Sequence, residues 1–145
     1  MFTSITGFAA VILYLGGFSY LLFKLLKEPT FNTSGLQTLA AGAITLHGLS
    51  TVQLLFVADG LDLSLFRIFV LIAFVINLVV FISGRKKPLH SMYLLLFPIS
   101  ALTLITALET PSTKPAVLMS PYIQAHIVIS ILAYSLLAIA ALHAL

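Results

Sequence analysis

Five long apolar runs, separated by more polar interruptions, make up most of the chain. They extend from about Gly7 to Phe23, Leu36 to Val57, Ser64 to Ser83, Ser91 to Leu108, and Pro121 to the final Leu145. A bilayer core about 30 Å thick is crossed by about 20 apolar residues in a helix, and a helix satisfies all its backbone hydrogen bonds internally. Barrel strands would instead alternate over about ten residues. The pattern predicts an all-α fold: a polytopic membrane helix bundle with five transmembrane helices, forming a single domain over residues 1–145. No internal repeat is visible, which argues against an inverted-repeat transporter.

The ends of the runs add detail. No basic residue precedes the first run and no A-x-A site follows it, so it is predicted to be a retained span and not a cleaved signal. Ser120 followed by Pro121 makes a well-formed helix start, with serine at the N-cap and proline at the first helical position. The other end of that helix has no basic residue, glycine or proline to close it. The chain is therefore expected to be truncated there, the N-terminal part of a longer bundle.

Composition supports the membrane reading. The 145 residues are 61% hydrophobic and 8% charged, with a mean hydropathy of +1.18, whereas soluble domains carry about 25% charged residues. The lipid bilayer is thus the expected environment. The formal charge of +3 is not a nucleic-acid signature, because the basic residues lie mostly at the ends of apolar runs and not along one face. With no cysteine in the chain, disulfides, thiolate metal sites and thioether-linked haem are excluded.

The basic residues also orient the bundle. Lys24 and Lys27 follow the first run, and Arg85, Lys86 and Lys87 follow the third, which places both turns in the cytoplasm. The intervening "ADGLDL" turn holds Asp59 and Asp62, and the turn before the last run pairs a lone Lys114 with Glu109. The N-terminus is then outside, and the last helix enters the membrane from the outer face.

Ionisable residues within spans are costly in lipid and are candidate functional residues. Three qualify: His47 midway along the second run, Arg67 near the outer end of the third, and His126 near the outer end of the fifth. His90 is placed among headgroups, and His143 near the inner end of its helix is too far from His126 to share a ligand. In "IQAHIVISILAYS", His126, Ser130 and Tyr134 recur at helical spacing with Ala133, a polar and small-residue stripe predicted to face protein. Three readings of His126 are open: a hydrogen bond within a helix contact, an axial ligand to haem at the outer surface, and a proton relay. The relay is disfavoured because the spans hold no carboxylates. His47 sits among Gly42, Ala43, Gly48, Ser50 and Thr51, a surface suited to helix contact, with haem ligation inside the membrane as the alternative. Arg67 is predicted to pair with Asp62, to snorkel to the headgroups, or to hold an anion such as a haem propionate.

The segment "SPYIQAHIVISILAYSLLAIAALHAL" resembles the histidine-bearing helix of the cytochrome c assembly family, the CcsA and CcmC type of haem-handling membrane protein, and in particular its YpjD-like inner-membrane branch. The order of the remaining features is similar too: a second span with a central histidine, an acidic outer turn, a basic inner turn, and "LLLFPISALTLITAL" before a proline-containing outer loop. The resemblance implies a bacterial inner-membrane protein that binds or presents haem at the outer face during cytochrome c biogenesis. It implies His126 as the iron ligand, with His47 and Arg67 as further cofactor-binding candidates. Implied partners are haem, other cytochrome c assembly proteins and apocytochrome c. The family's tryptophan-rich segment has no counterpart here, since the chain contains no tryptophan.

Two functions follow as alternatives. One is haem handling without catalysis by the protein itself, the chemistry belonging to the cofactor. The other is a structural or accessory inner-membrane protein without cofactor, in which His126 serves helix packing. An enzyme is not expected, because Asp59, Asp62 and Glu109 are loop residues with no paired base nearby.

Overall fold

The computed structural model describes residues 2–27, 34–57, 60–84, 90–110 and 120–144. Arg85, Lys86, Lys87, Asp59 and Lys114, which carried much of the predicted orientation, lie outside the described residues, as do the side chains of His90 and His143.

Five helices form, close to the predicted runs. They are α1 (Phe2–Lys27), α2 (Ser34–Leu55), α3 (Leu65–Gly84), α4 (Tyr93–Glu109) and α5 (Pro121–Ala144). The Ser120 carbonyl accepts hydrogen bonds from the Ile123 and Gln124 N–H groups at 3.0 and 3.1 Å, so α5 begins where Ser120-Pro121 predicts. Four helices, α1, α2, α3 and α5, are long and apolar enough to cross a membrane. This is the pattern of a multi-pass membrane protein.

α4 departs from the expected full-length span. It has 17 residues, about 25 Å at helical rise, short of a bilayer core. A 3-10 turn over His90–Met92 precedes it and adds about 6 Å.

Between α2 and α3 the second run ends sooner than predicted. Phe56–Val57 leave the helix and pair antiparallel with Gly60–Leu61, as β1 and β2, in the register Phe56 to Leu61 and Val57 to Gly60. Gly60 has φ of 133°, a conformation that side chains with a Cβ rarely adopt. The glycine of "ADGL" thus makes the tight reversal that a helix running on to Val57 would not allow.

α1 packs chiefly on α2 and α4, α3 lies against α2 and α4, and α5 packs on α3 at the edge of the bundle. The core is built from Ala10, Tyr14 and Leu21 of α1, Leu36, Ala40 and Ala43 of α2, Val70 and Val80 of α3, and Phe97 and Leu104 of α4, all fully buried. Small residues set the closeness of α1 to α4. A Cβ at Gly17 would stand 2.6 Å from Phe97 Cε2, a separation at which the ring must move.

Candidate functional site

His47 is fully buried. It projects from α2 between α1 and α3, and both of its ring nitrogens are engaged. Nδ1 lies 2.9 Å from the Tyr14 hydroxyl of α1, and Nε2 lies 3.1 Å from the Val70 carbonyl of α3. A carbonyl only accepts, so Nε2 carries the proton and donates it to Val70; Nδ1 is then the acceptor and the tyrosine hydroxyl donates. The imidazole is neutral in this arrangement, and one side chain joins three helices. Tyr14 meets the ring edge-on at a centroid distance of 5.6 Å, and Phe74 flanks it at 5.7 Å. Tyr14 in turn contacts Phe97, which stacks on Tyr93 at 4.7 Å. The small, polar surface predicted around His47 is a helix contact: Ala43, Ser50 and Thr51 are buried beside it. An iron ion could reach a ring nitrogen only by displacing Tyr14 or Val70.

One turn further along α2, the Ser50 hydroxyl donates to Thr6 Oγ1 of α1 at 3.0 Å, and Thr6 donates to Gln53 Oε1 at 3.2 Å. The hydroxyl–amide chain fastens the N-terminal part of α1 to the end of α2. Both hydroxyl donors have an acceptor, as buried polar groups require.

Arg67, in the first turn of α3, pairs with Asp62, Nε to Oδ2 at 3.0 Å, and one of its terminal N–H groups donates to the Leu54 carbonyl at the end of α2. Asp62 is itself buried; its Oδ1 accepts from the Ser64 N–H at 3.0 Å, and its own N–H donates to the Leu55 carbonyl at 2.8 Å. These bonds clasp the last turn of α2, the hairpin and the first turn of α3. The carbonyl at a helix C-terminus lacks an intrahelical donor, and the guanidinium supplies one to Leu54. Of the predicted roles for Arg67, pairing with Asp62 is the one seen. Its Nε and one terminal nitrogen are engaged within the fold.

His126 is exposed on α5 and makes no hydrogen bond to the described residues. The stripe from His126 to Tyr134 was predicted to face other helices of the bundle; Ser130 is partly covered, but His126, Ala133 and Tyr134 are exposed. α5 turns Ile131 and Ser135 toward α3, with Ile127, Ser130, Ala138 and Ile139 partly covered. At about 100° per residue, His126 lies about 140° around the helix from Ile131. Ala133 is exposed, and Tyr134 is 68% exposed. The side of α5 through Ile131 and Ser135 is turned to α3, and His126, Ala133 and Tyr134 lie on the outward side.

His47 and Arg67 lie along one α2–α3 contact, since Val70, the acceptor for His47, is one turn beyond Arg67. His126 belongs to a different surface. Among the described residues, no group of three or more His, Asp or Glu side chains gathers to hold a metal ion.

No family model, curated protein or solved structure matches this chain. The site must therefore be read from its own chemistry.

Asn77 and its partner Ser100 are buried polar residues that sequence reasoning did not single out. Asn77 of α3 is fully buried, and its Nδ2 donates to the Ala73 carbonyl at 2.8 Å and to Ser100 Oγ of α4 at 2.6 Å. Ser100 passes its own proton to the Leu96 carbonyl at 2.7 Å. The signal was present in "FVINLVVF", where a lone amide interrupts an apolar run. A search confined to ionisable side chains passes over it. Tyr14 was missed for a different reason: an apolar helix in lipid carries tyrosines for many purposes, and nothing in its neighbours marks a pairing with His47.

Proposed function

We propose that this chain is a haem-handling membrane protein of the cytochrome c assembly type, with His126 as an axial ligand at the outer edge of the bilayer. The supporting observation is the availability of His126. Its imidazole is exposed without a hydrogen-bond partner among the described residues, about 7 Å along the helix from Pro121, whereas His47 and Arg67 are bonded into the bundle. A neutral imidazole with a free nitrogen is what ferrous or ferric haem requires of an axial ligand. The adjoining outward face of α5, with Ile123 and Ile129 exposed three residues to either side of His126, offers apolar surface to a porphyrin. In this reading the protein lies in a bacterial inner membrane with its N-terminus outside, haem and apocytochrome c are partners, and the chain performs no catalysis of its own.

The deciding experiment is absorption spectroscopy of protein purified in detergent from haem-supplied cells. A Soret band that is lost in His126→Ala and retained in His47→Phe is the expected result. A band absent from the wild type, or unchanged in His126→Ala, overturns the reading.

The alternative is a structural or accessory membrane protein whose α5 is covered by another protein. The observation favouring it is the combination of an unpartnered imidazole with a 68% exposed Tyr134 on one face, because a helix contact satisfies such polar groups better than lipid does. Recovery of the protein in a stable complex free of haem supports this alternative.

A further inference from the structure

We propose that Asn77 Oδ1 holds one buried water molecule where α3 meets α4. Asn77 is fully buried, yet its Oδ1 has no hydrogen-bond donor. The deficit cannot be repaired by rotating neighbours. Both Asn77 Nδ2 protons are directed, one to Ala73 O and one to Ser100 Oγ. The Ser100 proton goes to Leu96 O. Ser135, the fully buried hydroxyl on the α5 helix that packs against α3, sends its proton to Ile131 O at 2.7 Å. His47, Ser50 and Thr51 likewise each donate to a named acceptor. Flipping the amide would aim Oδ1 at the Ala73 carbonyl, acceptor against acceptor, and would leave the Nδ2 protons unpaired.

The Asn77–Ser100 pair thus has every proton directed and acceptor capacity left over: Oδ1 entirely, and a lone pair on Ser100. A guest that brings donors resolves this, and water brings two. A buried acceptor left bare costs about 1–3 kcal/mol, and interior waters characteristically bridge such groups. A metal cation is the poorer fit, because hard cations gather six or more oxygens, carboxylates among them, and the acidic side chains of the described residues lie in or beside turns and not at this depth. Asn77 stands about 10 Å from the end of α3, and Ser100 about 10 Å from the start of α4, so the site lies well inside the bundle.

The chain contains two asparagines, Asn32 and Asn77, which makes the test clean. Protein labelled with ¹³C,¹⁵N-asparagine and ¹³C-valine and reconstituted in bilayers gives two side-chain amide signals by solid-state NMR, assigned by the loss of one in Asn77→Leu. Magnetisation transferred from water should reach the Asn77 amide several-fold faster than the methyls of Val80, which is equally buried on the same helix. If the Asn77 signal is present and receives water magnetisation no faster than Val80, the proposal fails. It also fails if the Asn77 Cγ resonance shifts when sodium and potassium salts are replaced by choline chloride, since that response marks a cation.

Discussion

Replacing Tyr14 with phenylalanine isolates the contribution of one hydroxyl to the bundle. The ring stays, with its 5.3 Å contact to Phe97, and the 2.9 Å hydrogen bond to His47 Nδ1 is lost. Two terms follow. The bond itself contributes about 1 kcal/mol net, and the acceptor left behind, fully buried, adds about 1–3 kcal/mol of uncompensated desolvation. Against this, hydrogen bonds between helices in bilayers couple by only about 0.6 kcal/mol on average and about 1.7 at most, because the separated helices find other partners. His47 lies on the strong side of that range: its other nitrogen is fixed on Val70, so the ring cannot turn to seek a new donor without breaking a second bond. The expected destabilisation is about 1–2 kcal/mol, roughly a 5- to 30-fold fall in the folded-to-unfolded ratio. Reversible unfolding in mixed detergent–lipid micelles measures it, and a cycle with His47→Phe should return a coupling above about 0.5 kcal/mol. The tautomer provides an independent check: ¹⁵N NMR should find His47 protonated at Nε2. A Tyr14→Phe protein as stable as wild type, or a His47 protonated at Nδ1, refutes the assignment of donor and acceptor.

Further substitutions probe other parts of the bundle by the same unfolding assay. Gly17→Ala sets a methyl 2.6 Å from the Phe97 ring and should cost about 1–3 kcal/mol; Gly16→Ala, with nothing within 4 Å, should be neutral or stabilise by up to about 1 kcal/mol. Arg67→Leu strands the buried Asp62 carboxylate and should cost about 3 kcal/mol, part of it recovered when Asp62→Asn is added. Ser100→Ala removes the acceptor for Asn77 Nδ2 and should cost about 1 kcal/mol, whereas Ser135→Ala, which removes only a bond to its own helix, should change stability by less than about 0.5 kcal/mol.

Sequence alone was enough to place the helices because membrane spans are selected residue by residue: a long apolar run has few alternatives to a helix. The start of α5 was legible for a local reason, since Ser120-Pro121 carries its own capping chemistry. The Phe56–Leu61 hairpin was not, because its apolar flanks continue the hydropathy of α2 and only the φ of Gly60 reverses the chain. The pairing of Arg67 with Asp62 was within reach, being an opposite charge close in sequence. The bond from His47 to Tyr14 was not, since the partners are 33 residues apart and no periodicity within one helix reports which neighbour it will meet.

α5 shows where the periodicity argument breaks down. On a soluble helix the polar stripe marks the side that faces water, and in a membrane the same stripe is commonly turned inward, because lipid cannot satisfy it. That rule predicts His126, Ser130 and Tyr134 on the α3 side, yet Ile131 and Ser135 are buried there. Two polar surfaces compete on this helix, one through Ser135 and one through His126. Ser135 satisfies itself by donating to its own helix backbone at Ile131, so it enters a contact at little cost. A phenol cannot, because its hydroxyl extends too far from the helix to reach its carbonyls, and His126 makes no such bond to the described residues. The face that could be buried without a partner was buried, and the face that needs one was left outward. His126 is thereby left exposed, with no hydrogen-bond partner among the described residues.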